Sequence, residues 1–138
     1  MNGLNQGTET KKFSVKRSYS GLGLYSNVPI KKNKFVIEYT GKLLTNQEVE
    51  SIKNNKYLFE LNTRWTVDGS ERKNISRYIN HCCRPNCEPR IMGRQVKIYA
   101  IRNIEPRDEL TYNYGKVYFN EYIKPHGCKC SYCKSKKN

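Results

Sequence analysis

A small, mainly β fold of the α+β class is predicted by three features of this sequence. Apolar and polar residues alternate in several short runs, the period-two pattern of half-buried strands. Those runs end at Gly, Asn, Asp or Pro, the residues that mark turns. Only one stretch carries a complete helix-start signal, so many short strands with one or two small helices are expected. The chain has 138 residues, enough for one core and too few for two.

The elements follow in order. Residues 1–11 are polar and rich in Gly and Asn and are expected to be disordered. Their start, Met1-Asn2-Gly3-Leu4, lacks the basic opening and apolar run of a signal peptide. Phe13 and Val15 alternate with polar neighbours as an opening strand. Gly21-Leu22-Gly23 follows, and without a Cβ at either glycine the backbone can come unusually close to another group. Phe35 to Tyr39 is β-rich and runs into a turn at Thr40-Gly41. Thr45-Asn46-Gln47-Glu48 is a capping box, opening a helix to about Asn54 with Val49 and Ile52 on its buried face. Tyr57 to Leu61 reads as a strand with Tyr57, Phe59 and Leu61 on one side, and Trp65 to Gly69 as another. Arg77 to Ile79 can close a helical turn, whereas Arg84-Pro85-Asn86 must bend, because proline restricts both itself and its predecessor. Glu88–Met92 and Gln95–Ile101 flank Gly93-Arg94 as a hairpin, with Val96, Ile98 and Ala100 on one face. A loop containing Pro106 precedes a strand that begins at Glu109, and a short helix over 117–123 is expected to break at Pro125-His126-Gly127. There is no repeat and no internal linker.

Charge and cysteine usage narrow the class. Lys and Arg number 26 against 12 Asp and Glu, a net charge of +14. That balance attracts nucleic acid, acidic proteins or anionic lipid and is silent about fold. The basic residues are spread over separated segments, such as Lys11-Lys12 and Lys31-Lys32, so solubility is the plainer reading. No run of about 18 apolar residues exists, so no membrane span is expected. Six cysteines would allow three disulfides, but Cys128-Lys129-Cys130-Ser131-Tyr132-Cys133 crowds three thiols together. That layout is metal-like and points to an intracellular setting.

Two stretches stand out for chemistry: Arg77-Tyr78-Ile79-Asn80-His81-Cys82-Cys83-Arg84-Pro85-Asn86 and Glu109-Leu110-Thr111-Tyr112-Asn113-Tyr114-Gly115. In the first, polar Asn80 and His81 lie between Ile79 and cysteines of the kind that bury, so their polar atoms must find partners. A satisfied turn in a small domain is the bland account of that stretch taken alone. Together, in this order and at this separation, the two resemble the signature motifs of the SET-domain protein-lysine methyltransferases. The resemblance runs from Phe13 to Cys133 and includes the Gly21-Leu22-Gly23 motif, with Leu22 where the family usually has an aromatic residue. It implies the SET fold, small curved sheets around a knot-like crossing of the two motifs. It divides the chain into a SET domain over 12–123 and a post-SET zinc-binding tail over 124–138.

The resemblance also implies an enzyme that moves methyl groups from S-adenosylmethionine to a lysine side-chain amine. That reaction needs a neutral amine in line with the methyl group, inside a dry channel. Lysine normally titrates near ~10.4, and an apolar aromatic tunnel beside a sulfonium favours loss of its proton. Aromatic faces also suit the cation itself, which makes the eleven tyrosines informative. On the family's pattern, Tyr114 is the essential tyrosine and Tyr39 lies at the reacting end of the channel. Tyr112 and Phe59 line the channel, Tyr112 where the family has either Phe or Tyr and a hydroxyl limits methylation. Gly21, Leu22, Gly23, Tyr57, Asn80 and His81 match cofactor contacts, His81 largely through its backbone. Asn113 stands where the family prefers Asp, which removes the charge of an ion pair to Arg77.

Three thiolates, Cys128, Cys130 and Cys133, leave one position open on a tetrahedral structural zinc. The resemblance supplies Cys83 as the fourth ligand, with Cys82 as its rival; Cys82 and Cys87 otherwise read as free buried thiols. The implied partner is a protein presenting a lysine, a histone tail or another basic protein, with chromatin as the setting in a eukaryote. Repulsion between such a tail and this chain would be offset by acids such as Glu60, Asp68, Glu71 and Glu88 along a groove, or by docking on DNA or an acidic partner. Two other readings compete. A basic zinc-containing nucleic-acid-binding module accounts for the charge but not for the paired motifs, and a SET domain that binds peptide without catalysis accounts for Asn113 and Leu22.

Overall fold

The computed structural model describes residues 12–19, 21–53 and 56–136, so the expectation for residues 1–11 lies outside the described residues. Ten short strands form four small sheets. Strands β1 (Phe13–Ser18) and β2 (Gly21–Ser26) make an antiparallel hairpin in which Ser18 pairs with Gly21. Strands β3 (Phe35–Tyr39) and β4 (Lys42–Thr45) follow, then β5 (Leu58–Glu60) and β6 (Trp65–Asp68), and β6 is central to an antiparallel β4-β6-β5 sheet. The two-residue β7 (Asn80–His81) precedes the long hairpin of β8 (Cys87–Met92) and β9 (Gln95–Ala100). β9 also pairs with β3, giving the antiparallel order β3-β9-β8. Strand β10 (Thr111–Tyr112) lies parallel to β7.

The core sits where these sheets meet. Val96, Ile98 and Ala100 all leave one face of β9 and are fully buried, with Leu24, Cys87 and Leu110 against them. The expected hairpin is present, and Gly93 takes its first central position at φ +63°, a conformation that suits glycine there. Among the described residues no helix is long and apolar enough to cross a membrane.

Several elements differ from expectation, each for a local reason. The capping box forms as read: Glu48 N–H donates to Thr45 Oγ1 at 3.2 Å, and Thr45 N–H to Glu48 Oε1 at 2.9 Å. Yet the helix spans only Asn46–Glu50, and Val49 and Ile52 are half-buried rather than buried. Ser51 donates to the Glu48 carbonyl from both its N–H and its Oγ, at 3.2 and 2.8 Å, taking the acceptor the next turn would use. The strand expected over 57–61 is shorter, β5, since Leu61 N–H enters the turn to the Trp65 carbonyl, and the strand expected from Glu109 is only β10, because Glu109 bridges to Tyr25 instead. The C-terminal helix is longer than read. It runs Lys116–Tyr118, tightens through a π-type turn at Phe119–Ile123 and ends as a 3-10 turn at Lys124–His126. Pro125 does not break it, because it lies in the first turn of that last segment, where its missing N–H is not needed. Gly127 ends it at φ +79°. A further helix, Ser131–Lys136, was not legible in the cysteine tail.

A buried asparagine ties the turn after β3 to the end of β6. Asn74 is 2% exposed; its Oδ1 accepts from Thr40 N–H at 3.0 Å and its Nδ2 donates to the Gly69 carbonyl at 3.0 Å. Asn74→Ala would leave both backbone groups without partners, and each such loss costs about 1–3 kcal/mol. Chemical denaturation should show a loss of about 2–6 kcal/mol on the same basis, with the fold retained.

Candidate active site and thiol cluster

The site forms where the two polar stretches are brought side by side. Thr111 and Tyr112 pair with Asn80 and His81, and Cys82 N–H donates to the Tyr112 carbonyl at 3.2 Å. Asn86 clamps the pair. Its Nδ2 donates to the Glu109 carbonyl at 2.8 Å, and its Oδ1 accepts from Thr111 N–H at 2.9 Å. The bend at Pro85 thus places a side-chain amide where it substitutes for strand hydrogen bonds.

Beside this pairing lies a cavity of about 290 Å³. Of the site residues read from the sequence, Gly21, Leu22, Tyr39, Tyr57, Phe59, Asn80, Tyr112 and Tyr114 line it. Gly23 and His81 do not: Gly23 packs on Glu109, and His81 lines a neighbouring cavity of about 230 Å³ together with Tyr114, Tyr118 and Cys128. The aromatic rings form a chain. Tyr39 and Phe59 are 5.5 Å apart, Tyr112 and Tyr114 5.0 Å, Tyr114 and Tyr118 5.0 Å, and Tyr118 and Tyr122 4.8 Å. Tyr114 lies beyond the end of β10, yet its ring faces that of Tyr112 as two residues of one strand would. Tyr118, from the helix after the second motif, is a lining residue that no motif singled out.

The hydroxyls are anchored to backbone. Tyr39 donates to the Tyr57 carbonyl at 2.7 Å, and Tyr114 donates to the Ile79 carbonyl. Burial raises the titration of Tyr114 and Tyr112 well above the ordinary 10.0, and neighbouring phenols add to the effect. Tyr39 is raised too, by burial and then by Asp68. All three therefore stay neutral, with the protons of Tyr39 and Tyr114 committed to these carbonyls. His81 Nδ1 accepts from Tyr114 N–H at 3.1 Å, so its ring proton is on Nε2, and burial lowers its basicity.

The polar end of the cavity is built differently. Asn80 Nδ2 donates to the Leu22 carbonyl at 2.9 Å and to Glu109 Oε2 at 3.0 Å. Leu22 itself is 49% exposed. Arg77 stacks over the ring of Tyr57 at 4.2 Å and of Tyr78 at 5.3 Å. Its Nε is buried without a hydrogen-bond partner, alone in this among the described residues. Asn113, which lacks the charge for an ion pair to Arg77, accepts through its Oδ1 from Gly115 N–H at 2.8 Å. Burial raises the Tyr57 hydroxyl, but its hydrogen bond to Arg77 and the charges of Lys56 and Arg77 outweigh that and lower it.

Four thiols converge beside His81. The Sγ atoms of Cys83, Cys128, Cys130 and Cys133 all lie within 4.8 Å of one another. Cys83 Sγ is 3.8 Å from Cys128 Sγ and 3.5 Å from Cys133 Sγ. Four thiolates on a tetrahedral zinc at ~2.3 Å would have sulfurs about 3.8 Å apart, so the donor set fits that ion. Cys82, 3% exposed, is not part of the group. Burial pushes Cys128 up to about 11, and it also works against ionisation of Cys130. At Cys130, hydrogen bonds from the Cys83 and Cys133 backbone and the adjacent thiols win and lower it to about 6.

Comparison with known proteins finds one family and several relatives. A family model described as SET domain matches residues 21–115. The chain is similar to the Schizosaccharomyces pombe protein named histone-lysine N-methyltransferase, H3 lysine-4 specific, at 38% identity over 105 residues, 67% of this chain and 11% of that one. It is likewise similar to the Kluyveromyces lactis protein of that name, at 36% over 125 residues, 80% and 12% of the two chains. Among solved structures, it resembles the Chaetomium thermophilum polycomb repressive complex 2 at a TM-score of 0.66 and 32% identity, covering 75% of this chain and 15% of that one. The chain spans about a tenth of the length of the curated relatives it matches.

The buried hydroxyls make a pH prediction. Groups raised above their unfolded value of 10.0 keep their protons in the folded state as pH passes 10. Their stabilising contribution is complete below pH 10 and is lost as pH rises above it. Ultraviolet titration of the eleven tyrosines should leave Tyr39, Tyr112 and Tyr114 protonated until the chain unfolds in alkali. Tyr112→Phe should leave the titration of the native protein unchanged.

Proposed function

The chain belongs to the SET-domain family, and from that premise we propose that it transfers methyl groups from S-adenosylmethionine to a lysine amine in a protein substrate. One observation carries the proposal. Residues matching the family's cofactor contacts and residues matching its lysine channel border a single cavity, polar at one end and aromatic at the other. When bound, S-adenosylmethionine supplies an electrophilic methyl group on a sulfonium. The polar end suits such a group: the Arg77 guanidinium offers positive charge to a carboxylate, Tyr57 a ring face, and Gly21 and Leu22 a backbone edge.

The other residues act on the amine. Tyr39, Phe59, Tyr112 and Tyr114 exclude water from a lysine side chain and present π faces to it. Desolvation among those rings lowers the ammonium pKa, so the proton is lost before transfer. Tyr114, fixed by the Ile79 carbonyl, orients the amine, and Tyr112 limits its bulk. Cys83, Cys128, Cys130 and Cys133 hold a structural zinc that fastens the tail beside this channel. The family-matched residues on one cavity favour catalysis over a peptide-binding module that has lost it.

A histone tail is the substrate class, supported by the names of the relatives, and chromatin in a nucleus would be the setting. Of the acids that could attract a basic tail, Glu88 pairs with Arg90 at 2.9 Å and Glu71 with Lys73 at 3.9 Å. With a net charge of +14, an additional partner, DNA or an acidic protein, would bring enzyme and tail together.

Labelled S-adenosylmethionine incubated with a histone mixture tests the activity directly, and the absence of label on lysine would sink it. Tyr114→Phe should lower kcat/KM by about two orders of magnitude, as when a positioned hydrogen-bonding group is removed. Tyr112→Phe should remain active and shift products toward higher methylation, read by mass spectrometry of a lysine peptide. Metal analysis should find about one zinc per chain, the stoichiometry of one four-thiolate site. Cys83→Ser should lose that metal, and Cys82→Ser should keep it.

A further inference from the structure

Glu109 is a half-buried acid that the proposed chemistry leaves without a task. The chain carries 26 basic residues, yet neither ion pair among the described residues includes it. Its carboxylate is instead held by neutral donors. Ser18 Oγ donates to Oε2 at 2.7 Å and to Oε1 at 2.8 Å, and Asn80 Nδ2 donates to Oε2 at 3.0 Å. The backbone makes room for it. A methyl group built on Gly23 would stand 2.5 Å from Glu109 Oε2 and 3.0 Å from Ser18 Cβ. The second glycine of the Gly21-Leu22-Gly23 motif is therefore explained by Glu109, since Gly23 does not line the cavity. The socket is rigid, because Leu110 N–H donates to the Leu24 carbonyl at 2.8 Å and Glu109 bridges Tyr25.

The consequence falls on Asn80. A side-chain amide has two N–H donors and one carbonyl acceptor. Both donors are spent, one on the Leu22 carbonyl at 2.9 Å and the other on Glu109. Turning the amide over would set its oxygen against a carbonyl and a carboxylate, so the hydrogen-bond pattern assigns the orientation. Oδ1 is left as an acceptor for the cavity that Asn80 lines.

We propose that Glu109, seated in the socket of Ser18 and Gly23, is a positioning residue that locks the Asn80 amide with its oxygen presented to the cofactor cavity. The inference rests on the reading of that cavity as the S-adenosylmethionine site. The lock works through an acceptor atom at that place, so a neutral acceptor of the same length preserves it and an apolar side chain of similar length does not.

Glu109→Met and Glu109→Gln separate these cases. By calorimetry, Glu109→Met should weaken S-adenosylmethionine binding about tenfold, the loss expected when one hydrogen bond is removed. Glu109→Gln should retain most of the affinity, and both variants should melt near the wild type without cofactor. A second reading needs no cofactor. In proton NMR of the cofactor-free protein, the Asn80 side-chain NH2 pair, identified by its absence in Asn80→Ala, should exchange slowly with water. It should stay slow in Glu109→Gln and become fast in Glu109→Met. Unchanged affinity in Glu109→Met overturns the proposal, and so does a Glu109→Gln variant as weak as Glu109→Met, which would make charge the cause. Rapid exchange of that pair in the wild type, or a melting temperature lowered in step with affinity, also overturns it. If the wild type binds no S-adenosylmethionine, the reading of the cavity fails, while the exchange comparison still decides the role of Glu109.

Discussion

The parallel contact between Asn80–His81 and Thr111–Tyr112 is the constraint on which the site depends. Two-residue strands have too few ladder bonds to hold themselves together, so the pairing is reinforced by side chains. Asn86 substitutes for strand neighbours at one end, and the Tyr114 hydroxyl and His81 Nδ1 close the other. Each tie crosses between the two segments, so neither can shift without the other. The cavity inherits its shape from this junction, since Ile79, Asn80, Tyr112 and Tyr114 all belong to it.

From that junction the cavity divides by chemistry. Toward β3 and β5 it is walled by rings, and the buried phenols keep their protons because burial disfavours their ionised form. Toward β2 it is polar, with the Asn80 amide and the Arg77 guanidinium. One end thus accommodates groups that need hydrogen bonds and the other strips water from a cation. This gradient, more than any single residue, makes methyl transfer from a charged donor to an amine chemically reasonable here.

The tail is joined to the same junction. Cys83 lies two residues past the end of β7, so three tail thiols converge on a residue of the first motif. Cation–π contacts add to this: Arg84 lies 5.4 Å from the Tyr132 ring and Lys134 5.2 Å from that of Tyr19. These exposed pairs are individually weak. The helix from Lys116 to His126 carries Tyr118 and Tyr122 between cavity and tail, so metal binding and channel geometry share a structural element.

What the sequence by itself determined was the set of local signals. The Thr45–Glu48 capping box, the Gly93-Arg94 hairpin and the buried alternation of Val96, Ile98 and Ala100 depend on neighbours in the chain, and the structure contains all three. The paired motifs and the cysteine spacing were legible for a different reason: their residue types in that order match a family pattern. Only the tertiary structure decided how those pieces interlock. Nothing local says that Asn86 reaches Thr111, that Arg77 turns to Tyr57 rather than toward Asn113, or that Gly23 yields its space to Glu109. The choice of Cys83 over Cys82 likewise turns on which sulfur comes within reach of all three tail thiols. Adjacent residues of a chain face different ways, and only the packing of distant segments decides which of them meets a partner.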